Sequence, residues 1–151
     1  MLRGKIKAEL VAAMKAKDEA KVSTLRMIGA ALKDKDIAAR PSGKMDGISD
    51  DEILSMFQSM IKQRKESVEL YEKGGRADLA DKEKKEIELI SSFLPAQMDD
   101  EAIKAAIQEV IIATGAASIK DMGKVMGALR AKYAGQMDFG KASGLIKSLL
   151  G

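Results

Sequence analysis

The stretch Phe93-Leu-Pro-Ala-Gln-Met-Asp-Asp100 divides a chain whose apolar residues otherwise follow a helical period almost from end to end. Pro95 disfavours the helical conformation at the residue before it, so a helix is expected to end there. Asp99 and Asp100 are typical of a helix start, because a carboxylate accepts hydrogen bonds from the free amides of the first turn. We therefore predict an all-α fold with an N-terminal lobe, residues 1–94, hinged to a C-terminal lobe, residues 95–151.

The N-terminal lobe is predicted to contain four helices. Two apolar stripes of helical period, from Leu2 to Met14 and from Val22 to Leu32, indicate the first two. A capping box at Ser49-Asp-Asp-Glu52, in which each end side chain bonds a free backbone amide, marks the start of a long third helix. That helix is expected to end at Gly74-Gly75, because glycine accepts the left-handed conformation of a C-terminal cap. A fourth helix is predicted over residues 77–93.

The C-terminal lobe is predicted to contain three shorter helices. The first ends at Gly115, and the second begins at the capping box Ser118-x-x-Asp121 and ends near Gly135. The third begins at Asp138, which is suited to cap its free amides. The predicted architecture is therefore a four-helix lobe followed by a three-helix lobe.

The composition restricts the chemistry that the chain can perform. It has no His and no Cys, the residues that supply most zinc ligands, and His is the side chain that exchanges protons most readily near neutral pH. No nucleophile elbow, phosphate-binding glycine loop or dinucleotide fingerprint occurs. We therefore predict no catalytic, cofactor-binding or metal-binding residues, and expect that the isolated chain is not an enzyme.

The composition also predicts the cellular compartment of the protein. The absence of Cys suits a reducing compartment, and no stretch of the sequence approaches the length and apolarity of a membrane span. The first ten residues are basic but lack the apolar segment of a secretory leader. We predict a cytoplasmic protein with no membrane partner.

The charge is small overall but unevenly distributed. The formal net charge is +3, yet residues 1–44 contain 11 Lys or Arg against 5 Asp or Glu, whereas residues 45–95 contain 8 against 12. The first two helices thus form a basic end. Lysines that solvate helix faces are the simpler interpretation of this asymmetry, and an anion-binding patch is the alternative.

Charged residues interrupt an apolar seam in the N-terminal lobe. Arg64 occupies a seam position of the third helix between Ile61 and Val68, and Glu83 and Glu86 occupy seam positions of the fourth. Such convergent charges can form an acid/base pocket or an interhelical ion pair that fixes register. We favour the ion pair, and apply the same structural interpretation to Arg26.

Paired glycines mark the C-terminal lobe. Gly123 and Gly127 are four residues apart on one predicted helix, as are Gly140 and Gly144 on the next, so each pair shares a face. An interior helical glycine costs about 1 kcal/mol relative to alanine, so the retention of four of them needs a reason. One reason is close helix packing. The other is a side-chain-free surface for a phosphate backbone, with nearby cations to neutralise it.

Several strings of the sequence together resemble the GatB/YqeY family, and specifically its stand-alone YqeY-like members. They are Thr24-Leu-Arg-Met-Ile28, Lys62-Gln-Arg-Lys-Glu-Ser-Val-Glu-Leu-Tyr71, Gly75-Arg-Ala-Asp-Leu-Ala-Asp-Lys-Glu83, Glu86-Ile-Glu-Leu-Ile90, Phe93-Leu-Pro-Ala-Gln97 and Asp121-Met-Gly-Lys-Val-Met-Gly127. The resemblance implies a two-lobe helical fold whose C-terminal lobe is similar to the tRNA-contacting tail of the glutamine-dependent aminoacyl-tRNA amidotransferase B subunit. The tRNA-facing residues that it implies here are Lys120, Gly123, Lys124, Gly127, Arg130, Lys132, Gly140 and Lys141.

The sequence departs from that amidotransferase subunit in one respect. Nothing in it resembles the large catalytic cradle that binds ATP and metal, and similarity of fold does not transfer chemistry. The expected function is therefore a non-catalytic module that binds tRNA or a tRNA-linked protein complex. The alternatives are a protein-interaction adaptor with an exposed Met-rich surface, and an accessory factor in amide transfer from glutamine, a form of carbon–nitrogen ligation.

Overall fold

A computed structural model describes all 151 residues, and its regular elements are all helical, which confirms the predicted all-α class. The chain divides into two compact units, Met1–Phe93 and Leu94–Gly151. The first contains α1 (Leu2–Lys15), α2 (Glu19–Ala39), α3 (Asp50–Lys73) and α4 (Ala77–Ser91), and the second contains α5 (Asp100–Thr114), α6 (Met122–Lys132) and α7 (Phe139–Leu150). Short 3-10 turns at Arg40–Ser42 and Ile119–Asp121 follow α2 and precede α6.

Local capping explains most of the helix boundaries. The Ser49 backbone amide donates to the Glu52 carboxylate over 2.8 Å, while the Glu52 amide donates to the Ser49 hydroxyl over 3.2 Å, so the predicted capping box begins α3. The Asp99 carboxylate caps α5 by accepting from the Ala102 amide. At Ser118 the outcome differs from the prediction, because the capped segment is first a 3-10 turn and α6 begins only at Met122.

The core of the first unit is formed mainly by α2, α3 and α4. Leu25, Ile28, Ile53, Phe57 and Ile90 are almost completely inaccessible to solvent. The Phe57 ring also stacks on that of Phe93, with centroids 5.5 Å apart, so the residue that ends the unit is anchored to its centre. Aromatic pairs of this kind stabilise a core beyond the area that they bury.

The charged seam lies between α3 and α4. The Nε atom of Arg64 is 3.1 Å from a Glu86 carboxylate oxygen and 3.9 Å from one of Glu83, so the structure brings the three predicted residues together. Their side chains are only 14–22% exposed. A further guanidinium nitrogen of Arg64 donates to the Met60 carbonyl over 3.1 Å, which satisfies another donor of the desolvated cation.

A second polar network holds the segment between α2 and α3 against α1 and α2. The Arg3 guanidinium of α1 donates two hydrogen bonds of 2.7 Å to Asp36 of α2 and one of 2.9 Å to the Ile48 carbonyl, while the Ile48 amide donates to Asp36. Gly47 precedes this point with φ of +98°, and an added Cβ would lie 2.5 Å from the Asp36 carboxylate. Glycine is therefore required there for both conformation and space.

The second unit has its own core, formed by all three of its helices. Ile107, Val125, Leu129, Met137 and Ile146 are fully buried in it. The segment before α5 is held against the α6–α7 connection, because the Met98 amide donates to the Gln136 carbonyl and the Gln97 side chain donates to the Gly135 carbonyl.

We predict that Arg64→Ala lowers the free energy of unfolding by about 3 kcal/mol, because it leaves two largely buried carboxylates without their cation. Arg76→Ala is the matched control, since Arg76 pairs with Asp78 in a contact whose side chains are 59% and 67% exposed. That control should cost less than about 1 kcal/mol. Urea denaturation measures both values, and equal effects of the two substitutions would contradict the structural role of the seam.

We also predict that Arg3→Ala destabilises the chain by about 1–2 kcal/mol near neutral pH, through loss of charge-assisted hydrogen bonds. The Arg3 guanidinium beside Asp36 holds the pKa of that carboxyl below its usual range. A depressed carboxyl pKa contributes stability above its unfolded value of about 3.9, and that contribution disappears as pH falls through the folded value. The stability difference between wild type and variant should therefore stay constant from about pH 7 to 5 and shrink towards about pH 3. A difference that grows on acidification would refute this assignment.

Candidate nucleic-acid interface

All eight residues that the family resemblance implies as tRNA-facing are exposed in the second unit. They are Lys120, Gly123, Lys124, Gly127, Arg130, Lys132, Gly140 and Lys141. Exposure is a requirement for any contact with a ligand, but the structure gives the eight residues different surroundings. The surroundings of the residues on α6 differ from those of the residues in the first turn of α7.

The outer face of α6 combines two glycines with three cations. Lys120, in the 3-10 turn, and then Lys124 and Arg130 flank Gly123 and Gly127 on successive turns of this face. The opposite side of α6 is buried through Val125, Met126 and Leu129. These positions follow the helical period, so burial of the apolar stripe necessarily turns the glycine-bearing face towards solvent.

The glycines of α6 are not explained by packing within the chain. A Cβ atom added at Gly123 or Gly127 would meet nothing within 4 Å, and the same holds for Gly144 of α7. Of the two alternatives considered from sequence, close helix packing is therefore wrong for these three glycines. Gly127 and Gly144 lie in helix interiors, where the cost of glycine is thus not offset by any contact that the structure shows, whereas Gly123 lies in the first turn of α6.

The cations of the second unit differ in how fully they are paired. Lys132 forms an ion pair with Glu109 of α5 over 3.2 Å, and Lys141 forms one with Asp100 over 3.0 Å. These carboxylates raise the pKa of each lysine, so both remain charged at neutral pH but are partly neutralised by their partners. An anionic ligand would have to compete with the two carboxylates. Lys120 and Lys124 form no ion pair, and Lys124 has only a longer-range attraction to Asp121, so their charges are more available.

Contacts made by the Phe139 ring and the Asp138 helix cap limit how far the first turn of α7 can contribute to ligand binding. The Arg130 guanidinium lies 5.9 Å from the centre of the Phe139 ring, within the range of a cation–π contact. The Asp138 side chain accepts hydrogen bonds from the Gly140 and Lys141 amides, and a Cβ at Gly140 would lie 3.1 Å from that carboxylate. Gly140 therefore has a structural role in the cap of α7 in addition to its exposure at the surface.

Sequence reasoning missed the residues that pair with these lysines. Glu109 lies 23 residues from Lys132, and Asp100 lies 41 residues from Lys141. No local spacing in the sequence predicts contacts over such separations. The expectation of a structural ion pair for Arg26 is also wrong, because this residue is exposed on α2 and forms none.

The first unit contains an open groove of about 840 Å³, lined by α1, α2 and α4. Its charges alternate, with Lys5, Lys21 and Lys85 set among three acids. The Thr24 hydroxyl at its wall donates to the Ala20 carbonyl over 3.1 Å and is therefore occupied by its own helix. The other hydroxyl of the lining, that of Ser92, donates to the Leu89 carbonyl over 2.6 Å.

Comparison with known proteins identifies the family. The family model described as Yqey-like protein matches residues 3–150. The chain belongs to this YqeY-like family. Among the relatives that it matches are proteins named "Altered inheritance of mitochondria protein 41, mitochondrial". In Vanderwaltozyma polyspora the identity is 37% over 59% of this chain and 46% of the relative, and in Eremothecium gossypii it is 32% over 82% and 62%. In Lachancea thermotolerans it is 35% over 59% and 46%.

These relatives correct the expected location. The chain spans about half the length of most of them, and each is named mitochondrial, so the predicted cytoplasmic location is contradicted. The physical reason is that low cysteine content indicates reducing conditions without distinguishing one reducing compartment from another. No single helix of this YqeY-like chain is long and apolar enough to cross a membrane, and the one helix pair that passes together, α5 with the segment Ile119–Lys132, is bent by 96°.

We predict that Gly127→Ala stabilises the chain by about 0.5–1 kcal/mol, because alanine favours the helix interior and the added methyl group enters open space. Gly123→Ala should stabilise it by less, because Gly123 lies in the first turn of α6. Thermal unfolding measures the change. Gly47→Ala is the control, and it should destabilise because its Cβ would meet Asp36. Lower stability of the α6 variants would show that their glycines are needed by the fold itself.

Proposed function

We propose that this chain is a non-catalytic helical module that binds tRNA, alone or within a tRNA-linked protein complex, through the outer face of α6. The observation that carries the proposal is the pair of exposed glycines, Gly123 and Gly127, beside unpaired Lys120 and Lys124. The resemblance of the second unit to the tRNA-contacting tail of the amidotransferase B subunit supports the same choice of ligand.

The chemistry of this face fits a phosphate backbone. Without side chains at Gly123 and Gly127, a ligand strand can approach the helix backbone closely, while the flanking cations neutralise its charge. The two rings of the unit, Tyr133 and Phe139, each lie next to a cation of this chain. They do not form the free aromatic platform on which single-stranded bases stack. Recognition of folded RNA by shape and backbone contact is the mode that this surface supports.

We expect the electrostatic centre of the proposed interface to lie on α6 and the turn before it. Lys132 and Lys141 have the residue type expected of phosphate contacts, but each already has a carboxylate partner within the unit. A phosphate that binds either lysine must displace that partner or share the lysine with it. Lys120 carries no such cost and Lys124 only the weaker attraction of Asp121, so we expect them to contribute more to binding.

A protein-interaction adaptor is the second function for which the structure offers an observation. Ile112 and Ile119 of the second unit are 81% and 49% exposed, and exposed apolar side chains are typical of contact surfaces when they cluster. Of the Met-rich surface expected from sequence, Met14 and Met45 of the first unit are 51% and 72% exposed, whereas Met126 and Met137 of the second unit are buried. An accessory role in amide transfer would use the same tRNA contact and would require separate catalytic subunits.

We predict that the full chain binds purified bulk tRNA and that binding weakens as salt rises. The triple substitution Lys120→Gln, Lys124→Gln and Arg130→Gln should reduce the slope of log affinity against log salt by up to about 0.9 for each phosphate that is no longer neutralised. Stability should change by no more than about 0.5 kcal/mol per substitution, since the side chains are exposed. Gly127→Leu should lower affinity at every salt concentration, because it blocks approach without removing charge.

The matched control removes three charges elsewhere. Lys62, Lys65 and Lys82 are exposed, form no ion pair and lie in the acidic part of the first unit. Their replacement by Gln tests whether net charge alone explains the effect. Fluorescence anisotropy with labelled tRNA measures each affinity between about 50 and 200 mM salt, the range over which phosphate contacts are most evident. No binding by the folded wild type at low salt would reject tRNA binding and favour the adaptor.

A further inference from the structure

A row of three cations runs along the outer face of α2 in the first unit and continues into the 3-10 turn that follows this helix. Arg26, Lys33 and Arg40 are spaced seven residues apart, so they lie on nearly the same side of the helix at intervals of about 10 Å. All three are exposed, and the buried stripe of α2 through Leu25 and Ile28 lies on another side. The row therefore faces solvent over a length of roughly 20 Å.

The charges of this row are only weakly compensated within the chain, because Arg40 alone of the three interacts electrostatically with an acid, Asp36. None of the three cations forms an ion pair. The acid nearest to Arg40 on this side, Asp36, is already bonded by two nitrogens of Arg3. Glu19 in the first turn and Asp34, about 100° around the helix from Lys33, are the other acids of α2. The row is thus a continuous positive strip within the basic N-terminal part of the chain.

An exposed glycine lies within this strip. Gly29 is in the interior of α2 between Arg26 and Lys33, and an added Cβ would meet nothing within 4 Å. Its neighbour Ala30 is also exposed. Glycine weakens a helix interior relative to alanine, and nothing in the structure gains from it here. The combination of an open glycine and unpaired cations is the same as on α6, although it arises in the other unit.

We propose that this face of α2 is a second binding surface for the phosphate backbone of folded RNA. The proposal rests on the proposed function in that the chain binds RNA, but it assigns part of the contact to residues that the family resemblance did not implicate. An evenly spaced row of cations fits a polymer of evenly spaced negative charges. Ile37, at 47% exposure, is the only large apolar side chain of the strip, so the apolar centre typical of protein–protein contacts is missing.

The test compares three triple variants of the full chain by tRNA titration at several salt concentrations. The α2 variant carries Arg26→Gln, Lys33→Gln and Arg40→Gln. The α6 variant and the Lys62, Lys65 and Lys82 control are those described above. The α2 variant is expected to bind tRNA more weakly than the control, with a salt slope reduced by up to about 2.7, or about 0.9 for each phosphate. Gly29→Leu should weaken binding at all salt concentrations while thermal unfolding shows a folded chain.

The outcomes separate this proposal from the proposed function. If wild type and the α2 variant bind equally well, or if the α2 variant matches the control, the α2 surface is rejected while tRNA binding through α6 remains. If the α6 variant behaves like the control but the α2 variant does not, the α2 surface is supported and the α6 assignment is rejected. If the wild type binds no tRNA, both are rejected.

Discussion

The packing of α3 against α4 is the contact on which the first unit depends. A guanidinium can lie in this largely buried seam because Glu83, Glu86 and the Met60 carbonyl satisfy its charge and its donors. Without those partners, desolvation of Arg64 would oppose burial of the apolar residues around it. The polar contact therefore restricts how the two helices align, since a shift of either helix would separate the charges. The same alignment places Phe93 where its ring stacks on Phe57.

Exposed glycines within helices lower the stability of the chain, and they lie in the surfaces proposed to bind RNA. Gly29 in α2 and Gly127 in α6 have helical neighbours, open space around them and no packing role. A chain selected for stability alone would carry alanine at such positions, because alanine loses less conformational entropy on forming a helix. Retention of glycine next to unpaired cations is the expected compromise when a ligand backbone must approach closely. Binding and stability then place opposite demands on the same residues.

Local sequence determined the helical class and most helix ends, because capping depends on residues three or four positions apart. Ser49 with Glu52, Asp99, Gly115 and Asp138 each act where their spacing predicts. The seam of Arg64 could also be anticipated, since a charge that interrupts two apolar stripes requires a partner between the helices. Family membership likewise came from ordered strings of residues along the chain.

Only the tertiary structure decided which charges are free and which glycines are open. Arg3 bonds Asp36 across 33 residues, and Lys132 bonds Glu109 across 23. Arg26 remains unpaired although its position in the sequence resembled that of a structural cation. Helical periodicity specifies the face on which a side chain lies but not what packs against that face. The surroundings of the exposed glycines depend on the placement of whole helices, which residue spacing does not encode.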